Sequence, residues 1–547
     1  MSSPADLVIC GQIVLAAHGD GFETAEAIAI GGGRVVAAGP RADVLAASGP
    51  GARVVDVRDR AIIPGLHDFH IHLVGLARAR RDISLDGAAD VREVAARVRE
   101  AATVARPDAW LTGRGWSEAQ LGGVPLTELE EAVGGRPAFF MSHDGHSAWA
   151  SSAARTLAGV HGGTDDPAGG RLERDAHGEP SGILREAALG MVAPLVARLQ
   201  GEALRAPLDE TLRELAGFGL TGSTEAGDYT DENGVGADAD LGDCFSSLTD
   251  LDDLVDGRLR MTLNIPVDAI GIAAGRGLRT AAPLDGRRTM RFGWAKEYSD
   301  GALGSGTAAL FEPRTCGEPS SGILRVEPDE LDALFASARP AGIGMAVHAI
   351  GDRAVAAVLD AVERAEPGLA GVPRDRMEHV QLARAVDRAR FAPLGMTASV
   401  QPIHAAADRD LVEACWGGRQ ADAYAFRSLV EAGALLAAGS DAPIESANPW
   451  LGIFAAVHRR FPTDEREDWR PVEALSVAQA LSAYTLAPAL AIGAEDEGHL
   501  RVGACADLAV LSVDLPTLLR GDEALASVRS ELTLVDGREV DRLQGPA

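Results

Sequence analysis

His70 and His72 stand two residues apart in the run Pro64-Gly65-Leu66-His67-Asp68-Phe69-His70-Ile71-His72-Leu73. At the end of a strand, side chains two apart leave on the same face. Both imidazoles could then reach one metal ion, and neutral ring nitrogens are donors that borderline-soft zinc accepts. His67 is out of phase with the pair and reads as structural. Three further apolar runs end in metal-capable side chains: Met345-Ala346-Val347-His348, Arg376-Met377-Glu378-His379 and Ala438-Gly439-Ser440-Asp441. Taken singly, His348 or His379 is equally well a hydrogen-bonded core residue. Their joint arrival at run ends is the signal.

Lys296 adds to it. It is the single lysine in a chain with 51 Lys and Arg residues, and it closes the apolar run before Glu297-Tyr298-Ser299-Asp300-Gly301. A surface position can drift from lysine to arginine at little cost. A position that needs a primary amine cannot, because guanidinium stays charged where a buried amine can lose its proton.

These residues need a scaffold that gathers strand ends. Apolar runs at 61–66, 219–226, 258–266, 289–297, 342–348, 375–380, 396–401 and 434–440 alternate with helical stretches, the pattern of a (β/α)8 barrel, whose active sites form at the C-terminal strand ends. The interval between the first two runs is too long for one helix and predicts an inserted subdomain after strand 1. Short β-rich runs at both ends predict one small, discontinuous β-sandwich. The expected division is 1–62 sandwich, 63–105 barrel start, 106–200 insertion, 201–485 barrel remainder and 486–547 sandwich.

Composition narrows the function class. The 547 residues are 46% hydrophobic and 24% charged, ordinary for a globular protein. A net charge of −29, spread along the chain, argues against a nucleic-acid footprint. No apolar window is long enough for a membrane span, and the first residues lack the pattern of a secretory signal. Five cysteines (Cys10, Cys244, Cys316, Cys415, Cys505) lie far apart with no C-x-x-C pair. The expectation is no disulfide framework and a reduced, cytoplasmic protein.

The motifs extend beyond the candidate ligands. They include Gly113-Arg114-Gly115-Trp116, Asp144-Gly145-His146-Ser147-Ala148-Trp149 and Gly178-Glu179-Pro180-Ser181-Gly182-Ile183-Leu184. Later come Ser299-Asp300-Gly301-Ala302-Leu303-Gly304-Ser305, Val347-His348-Ala349-Ile350-Gly351-Asp352-Arg353-Ala354, Gln401-Pro402-Ile403-His404 and Gly439-Ser440-Asp441-Ala442-Pro443. With these the chain resembles, over essentially its whole length, the amidohydrolase superfamily, and within it the YtcJ-like group that includes N-substituted formamide deformylase.

The resemblance implies a centre of two divalent metal ions, most simply zinc. His70 and His72 would hold one with Asp441, and His348 and His379 the other. Lys296, carboxylated on its amine, would bridge them. It implies a hydrolase of non-peptide C–N bonds (EC 3.5-like), acting on an amide or formamide by attack of a metal-bound hydroxide, with Asp441 carrying the proton. His146 and His404 are further catalytic candidates, able to hydrogen-bond the substrate carbonyl, while Asp300 and Asp352 would orient ligands. Ester, lactone or carbamate hydrolysis on the same centre is the alternative reading. A deaminase is disfavoured by the Ala-Ile-Gly-Asp that follows His348, where a glutamate would be expected. A scaffold without catalysis is disfavoured by the complete ligand set. The expected partner is a small molecule, with a homodimer allowed. The insertion, the loop around 227–243 and the segment 401–418 should wall the pocket, and Trp116, Trp149, Trp416 and Trp450 suggest an aromatic or apolar substrate.

Overall fold

The computed structural model describes residues 4–106, 109–117, 127–196, 202–227, 251, 253–284 and 289–542. The loop around 227–243, apart from Gly227, lies outside the described residues, as does Cys244. The chain opens with β1 (Leu7–His18), β2 (Gly21–Gly31), β3 (Arg34–Gly39) and β4 (Arg53–Pro64), then enters the barrel at β5 (Leu66–Ile71). An inserted sheet follows, made of β6 (Ile83–Ser84), β7 (Leu111–Trp116), β8 (Ala138–Ser142), β9 (Ser147–Ala150), β10 (Gly170–Arg174) and β11 (Pro180–Glu186). The barrel resumes with β12 (Leu220–Glu225), β13 (Arg260–Pro266), β14 (Met290–Tyr298), β15 (Met345–Ala349), β16 (Arg376–His379), β17 (Thr397–Val400) and β18 (Leu435–Ala438). It ends with β19 (Leu508–Asp514), β20 (Ser530–Val535) and β21 (Arg538–Arg542).

The two ends of the chain meet in one seven-stranded sheet, ordered β21-β20-β19-β4-β1-β2-β3. Alternation along β1, interrupted by bulges after Cys10 and Val14, gives it two covered faces. Leu7, Ile9, Ile13 and Leu15 pack with Leu508, Val510, Leu532 and Leu534. Val8 and Cys10 face the other way, onto Ala27, Ala29 and Val44 of the helix Arg41–Ser48. β4 joins the halves, parallel to β1 and antiparallel to β19.

The barrel strands lie side by side in chain order, all parallel, from β5 to β18. Their helices are amphipathic: in Asp352–Arg364, Ala354, Val355, Val358, Leu359 and Val362 are buried at the 3–4 spacing of one helical face. The sheet is closed by bonds beyond the strand ends: Asp441 N–H donates to His70 O (2.8 Å) and His72 N–H to Ala442 O (2.9 Å). One expected strand divides. The apolar run 61–66 finishes β4 at Pro64, and the barrel starts at Leu66. Both neighbours of Gly65 are buried in sheets, so the run is apolar throughout and its sequence does not show the break. A side chain at Gly65 would place Cβ 2.0 Å from Thr221 Oγ1, so the crossing needs glycine.

The inserted sheet has the order β10-β11-β9-β8-β7-β6. Its core holds Trp116 and Trp149, both buried; Trp149 stacks on Phe140 at 5.4 Å, and Trp116 Nε1 donates to Phe140 O (2.6 Å). Trp416 and Trp450 are buried in the barrel core, where Trp450 Nε1 donates to Phe218 O (2.9 Å). The four tryptophans are packing residues, which removes the argument from them to an aromatic substrate. Ser151, N-terminal to the helix Ser152–Leu157, caps it by accepting from Ala154 N–H.

The cysteines also differ from expectation. Cys316 and Cys415, 99 residues apart in sequence, form a disulfide between the loop after β14 and the helix Arg409–Cys415. No spacing rule could have paired them, and the cysteine argument for a reducing compartment fails at this pair. Among the described residues, no helix is long and apolar enough to cross a membrane.

Because Trp116 and Trp149 are core, Trp149→Ala should destabilise the protein by about 3–5 kcal/mol, the cost of emptying a large aromatic site. It should leave KM of the folded enzyme unchanged. Chemical denaturation followed by circular dichroism checks the first statement, and steady-state kinetics well below the melting temperature the second.

Candidate active site

The barrel closure sets the geometry at its C-terminal mouth. Gly439, just after β18, lies so close to β5 that a Cβ there would lie 2.3 Å from His70 N. The chain then passes through Asp441 at φ 59°, a left-handed conformation rare for non-glycine residues. His379, at the end of β16, also has positive φ, 73°. Such outliers cost free energy and gather at functional sites.

The turn brings the Asp441 carboxylate among three imidazoles. His72 Nε2 lies 3.0 Å and His70 Nε2 3.4 Å from Oδ1, while His404 Nε2 lies 3.1 Å from Oδ2. His379 and His348 continue the cluster: ring centroids are 5.0 Å apart for His70 and His379, and 4.4 Å for His379 and His348. Lys296, also buried, holds its Nζ 3.6 Å from the centroid of the Tyr298 ring, which lies 5.4 Å from His348. His146, from the inserted sheet, sits 5.2 Å from His348. All eight expected site residues therefore converge on one region. His67 does not join them; it contacts Thr224 Oγ1 at 3.1 Å.

Four of these histidines have one ring nitrogen held from outside the cluster. His70 Nδ1 meets Glu378 Oε2 at 2.6 Å, His379 Nδ1 meets Gln401 Oε1 at 2.8 Å, and His348 Nε2 meets Gly301 O at 3.2 Å. His146 Nδ1 meets Glu186 Oε2 at 2.9 Å. Such partners fix ring orientation and tautomer, as they do for histidines that bind metals. Glu378, Gln401 and Glu186 were not singled out from sequence. A usable signal existed for Glu378, because Arg376 and Glu378 put two charges on one face of a short buried strand. Asp300 serves backbone more than ligand: it accepts from Ile350, Gly351 and Ala309 N–H, with His348 Nε2 at 3.5 Å. Asp352 accepts from Phe311 N–H and orients no ligand.

Charge follows from this packing. Burial would raise the Asp441 carboxyl, but the hydrogen bond from His404 and the close imidazoles of His70 and His72 hold it well below the carboxylate range. Glu378 is likewise buried, yet Arg376 and His70 hold it well below its usual value. Burial, reinforced by neighbouring cations, keeps His348 and His379 well below the usual imidazole value, hence neutral and able to ligate. His146 goes the other way, up to about 8: burial opposes its charge, and Glu186 and Asp144 outweigh it. Burial raises Asp300 to about 7.

The donor set suits divalent metal. One donor atom from each of His70, His72 and Asp441 falls within 4.8 Å of the others, as does one from each of His379, His404 and Asp441. His348 Nδ1 is buried with no hydrogen-bond partner, an orphan that a ligated metal would satisfy. Imidazole and carboxylate donors fit zinc. His404 is nearer to ligand geometry than the sequence suggested.

The cluster opens into a cavity of about 480 Å³. His70, His72, His348, His379 and Asp441 line its base. Phe139, Met141, Leu189, Ala193, Val196 and Ile444 give it an apolar wall, and Arg78, Arg114 and Arg325 supply cations. The inserted sheet thus does border the cavity, through residues other than its tryptophans.

With the barrel and this centre in place, the chain belongs to the amidohydrolase family, whose model matches residues 53–541. Its relatives place it in the YtcJ-like group. It is 29% identical to the putative amidohydrolase YtcJ of Bacillus subtilis, over 85% of this chain and 86% of that one. It is 27% identical to the N-substituted formamide deformylase of Arthrobacter pascens, over 94% of each. Protein LONG AFTER FAR-RED 3 of Arabidopsis thaliana is 30% identical, over 93% of this chain and 88% of that one. The crystal structure of an uncharacterized metal-dependent hydrolase from Pyrococcus horikoshii superposes with TM-score 0.74 at 25% identity, covering 94% of this chain and 99% of the other.

Loss of an orienting partner should weaken metal binding without unfolding the barrel. Glu378→Gln is expected to lower zinc affinity about 10–100-fold. Chelator-competition titration measures this, and wild-type affinity in a folded variant would remove Glu378 from the role.

Proposed function

We propose that this protein hydrolyses the C–N bond of a small amide, most closely a formamide. The observation that carries the reading is the buried Asp441 carboxylate shared by His70, His72 and His404 beside a partly apolar cavity. Membership of the amidohydrolase family and the likeness to a formamide deformylase support the bond type.

His70, His72 and Asp441 would hold one divalent metal ion, most simply zinc, and His348 and His379 a second. Lys296 would join them after carboxylation, which turns its cationic amine into an anionic oxygen donor. That change is closed to arginine and fits the survival of this one lysine. When bound, the metals supply Lewis acidity and bring the pKa of water toward about 7. The rest is the work of this chain's own groups. Asp441 takes the proton of the attacking water on its carboxylate and returns it to the departing amine nitrogen. His404, 3.1 Å from Asp441 Oδ2, fixes the carboxylate plane through these transfers. His146 reaches the cavity from the side of the inserted sheet and hydrogen-bonds the substrate carbonyl. Phe139, Met141 and Leu189 exclude water from the apolar side of the substrate.

The direct test is a hydrolysis panel of N-formyl, N-acyl, carbamate and ester substrates with zinc-loaded enzyme. Turnover led by the N-formyl or N-acyl members is expected; turnover of esters alone would overturn the bond assignment. Asp441→Asn should lower kcat at least about 10²-fold, the lower range for loss of general acid–base catalysis. Lys296→Arg should fold normally while losing most activity and part of the bound metal. Elemental analysis alongside kinetics checks this, and near wild-type metal content and rate would end the bridging role.

A further inference from the structure

β11 ends at Glu186, whose backbone has φ 51° and whose carboxylate is wholly buried. Each oxygen is engaged. Oε2 meets His146 Nδ1 at 2.9 Å and accepts from Arg325 Nη1 at 3.3 Å. Oε1 accepts from Thr307 Oγ1 at 2.5 Å. The same two residues are joined through their backbones, Glu186 N–H donating to His146 O at 3.0 Å. His146 N–H in turn donates to Asp144 Oδ1 at 3.1 Å. The barrel loop makes room for the carboxylate: a Cβ on Gly301 would lie 2.2 Å from Glu186 Oε1. Two of the motifs singled out from sequence, Ser299–Ser305 and the segment ending in Leu184, thus lead to one contact.

A buried carboxylate is costly unless its charge is met by hydrogen-bond donors and cations. Its donors here come from the inserted sheet and from the barrel, so its place is set from both sides. The consequence falls on His146. With Nδ1 turned to Glu186, the ring can offer only Nε2 to the cavity it lines, beside His348.

We propose that Glu186 is a positioning residue that locks the His146 ring with Nε2 facing the substrate cavity, so that the inserted sheet supplies part of the reaction apparatus as well as a wall. The orientation stands on the contacts above; the expected effect on turnover rests on the amide-hydrolase reading.

The test has two arms. In the first, zinc-loaded protein carrying 15N-histidine is examined by NMR for the imidazole N–H resonance that His146→Ala removes. Glu186→Gln should shift or abolish that resonance, and an unchanged resonance would overturn the proposal. If Glu186→Gln does not fold, Glu186→Asp serves instead, since it keeps the charge but draws it back by one methylene. The second arm uses the best panel substrate. Glu186→Gln should lower kcat by up to about 10²-fold, the scale of a misplaced reacting group, with KM and metal content near wild type. The double variant with His146→Ala should be no slower than His146→Ala alone. Fully additive losses would overturn the proposal. Should no panel member turn over while the resonance responds, the functional reading fails and the positioning claim stands.

Discussion

The barrel is joined to itself beside the candidate site. β18 and β5 are linked by backbone hydrogen bonds at His70, His72, Asp441 and Ala442. Ser440 N–H adds a bond to the buried Asp68 carboxylate at 2.9 Å. The bonds that complete the cylinder therefore also fix the distance from Asp441 to His70 and His72. The left-handed turn at Asp441 and the bare Cα of Gly439 are what that approach requires. A looser closure would move Asp441 before it moved the core.

Around this seam the polar groups form a shell that pairs Glu378 with Arg376 and gives four imidazoles a defined counterpart. Glu378 accepts from His70 and from Arg376, whose guanidinium lies 3.7 Å over the Phe69 ring. Gln401 serves His379, the Gly301 carbonyl serves His348, and Glu186 serves His146. These partners come from β16, from the start of the helix after β17, from the loop after β14 and from the inserted sheet. The imidazoles are thus turned inward by parts of the fold that share no local sequence. In a low-dielectric interior such networks set ring orientation more firmly than packing alone.

The sequence made this centre legible wherever the information was local. Strand periodicity located seven barrel strands within a few residues, and His70, His72, Lys296, His348, His379 and Asp441 each stood at the end of a run. Legibility ended where a feature depends on a distant residue. Glu378 orients a histidine 308 positions away, and Cys316 meets a cysteine 99 positions away. The break at Gly65 was hidden because sheet and barrel demand the same apolar character on either side. The tryptophans misled for a related reason: a motif fixes a residue's identity, but whether its side chain faces core or cavity depends on the sheet it joins.

The terminal sheet has a consequence for how the molecule is made. β4 runs into β5 through Gly65 alone, and its partner β19 is synthesised only after the whole barrel. Asp68 waits for Ser440, 372 residues later, to receive its bond. The His70–His72 pair therefore emerges early, without Asp441, Glu378 or the far wall of the barrel. A bare imidazole pair discriminates poorly among divalent ions, because selectivity comes from ligand number and imposed geometry. A metal centre built on this pair would thus begin to discriminate only once Asp441 has been made, and metal supply to the finished fold would matter more than supply during synthesis.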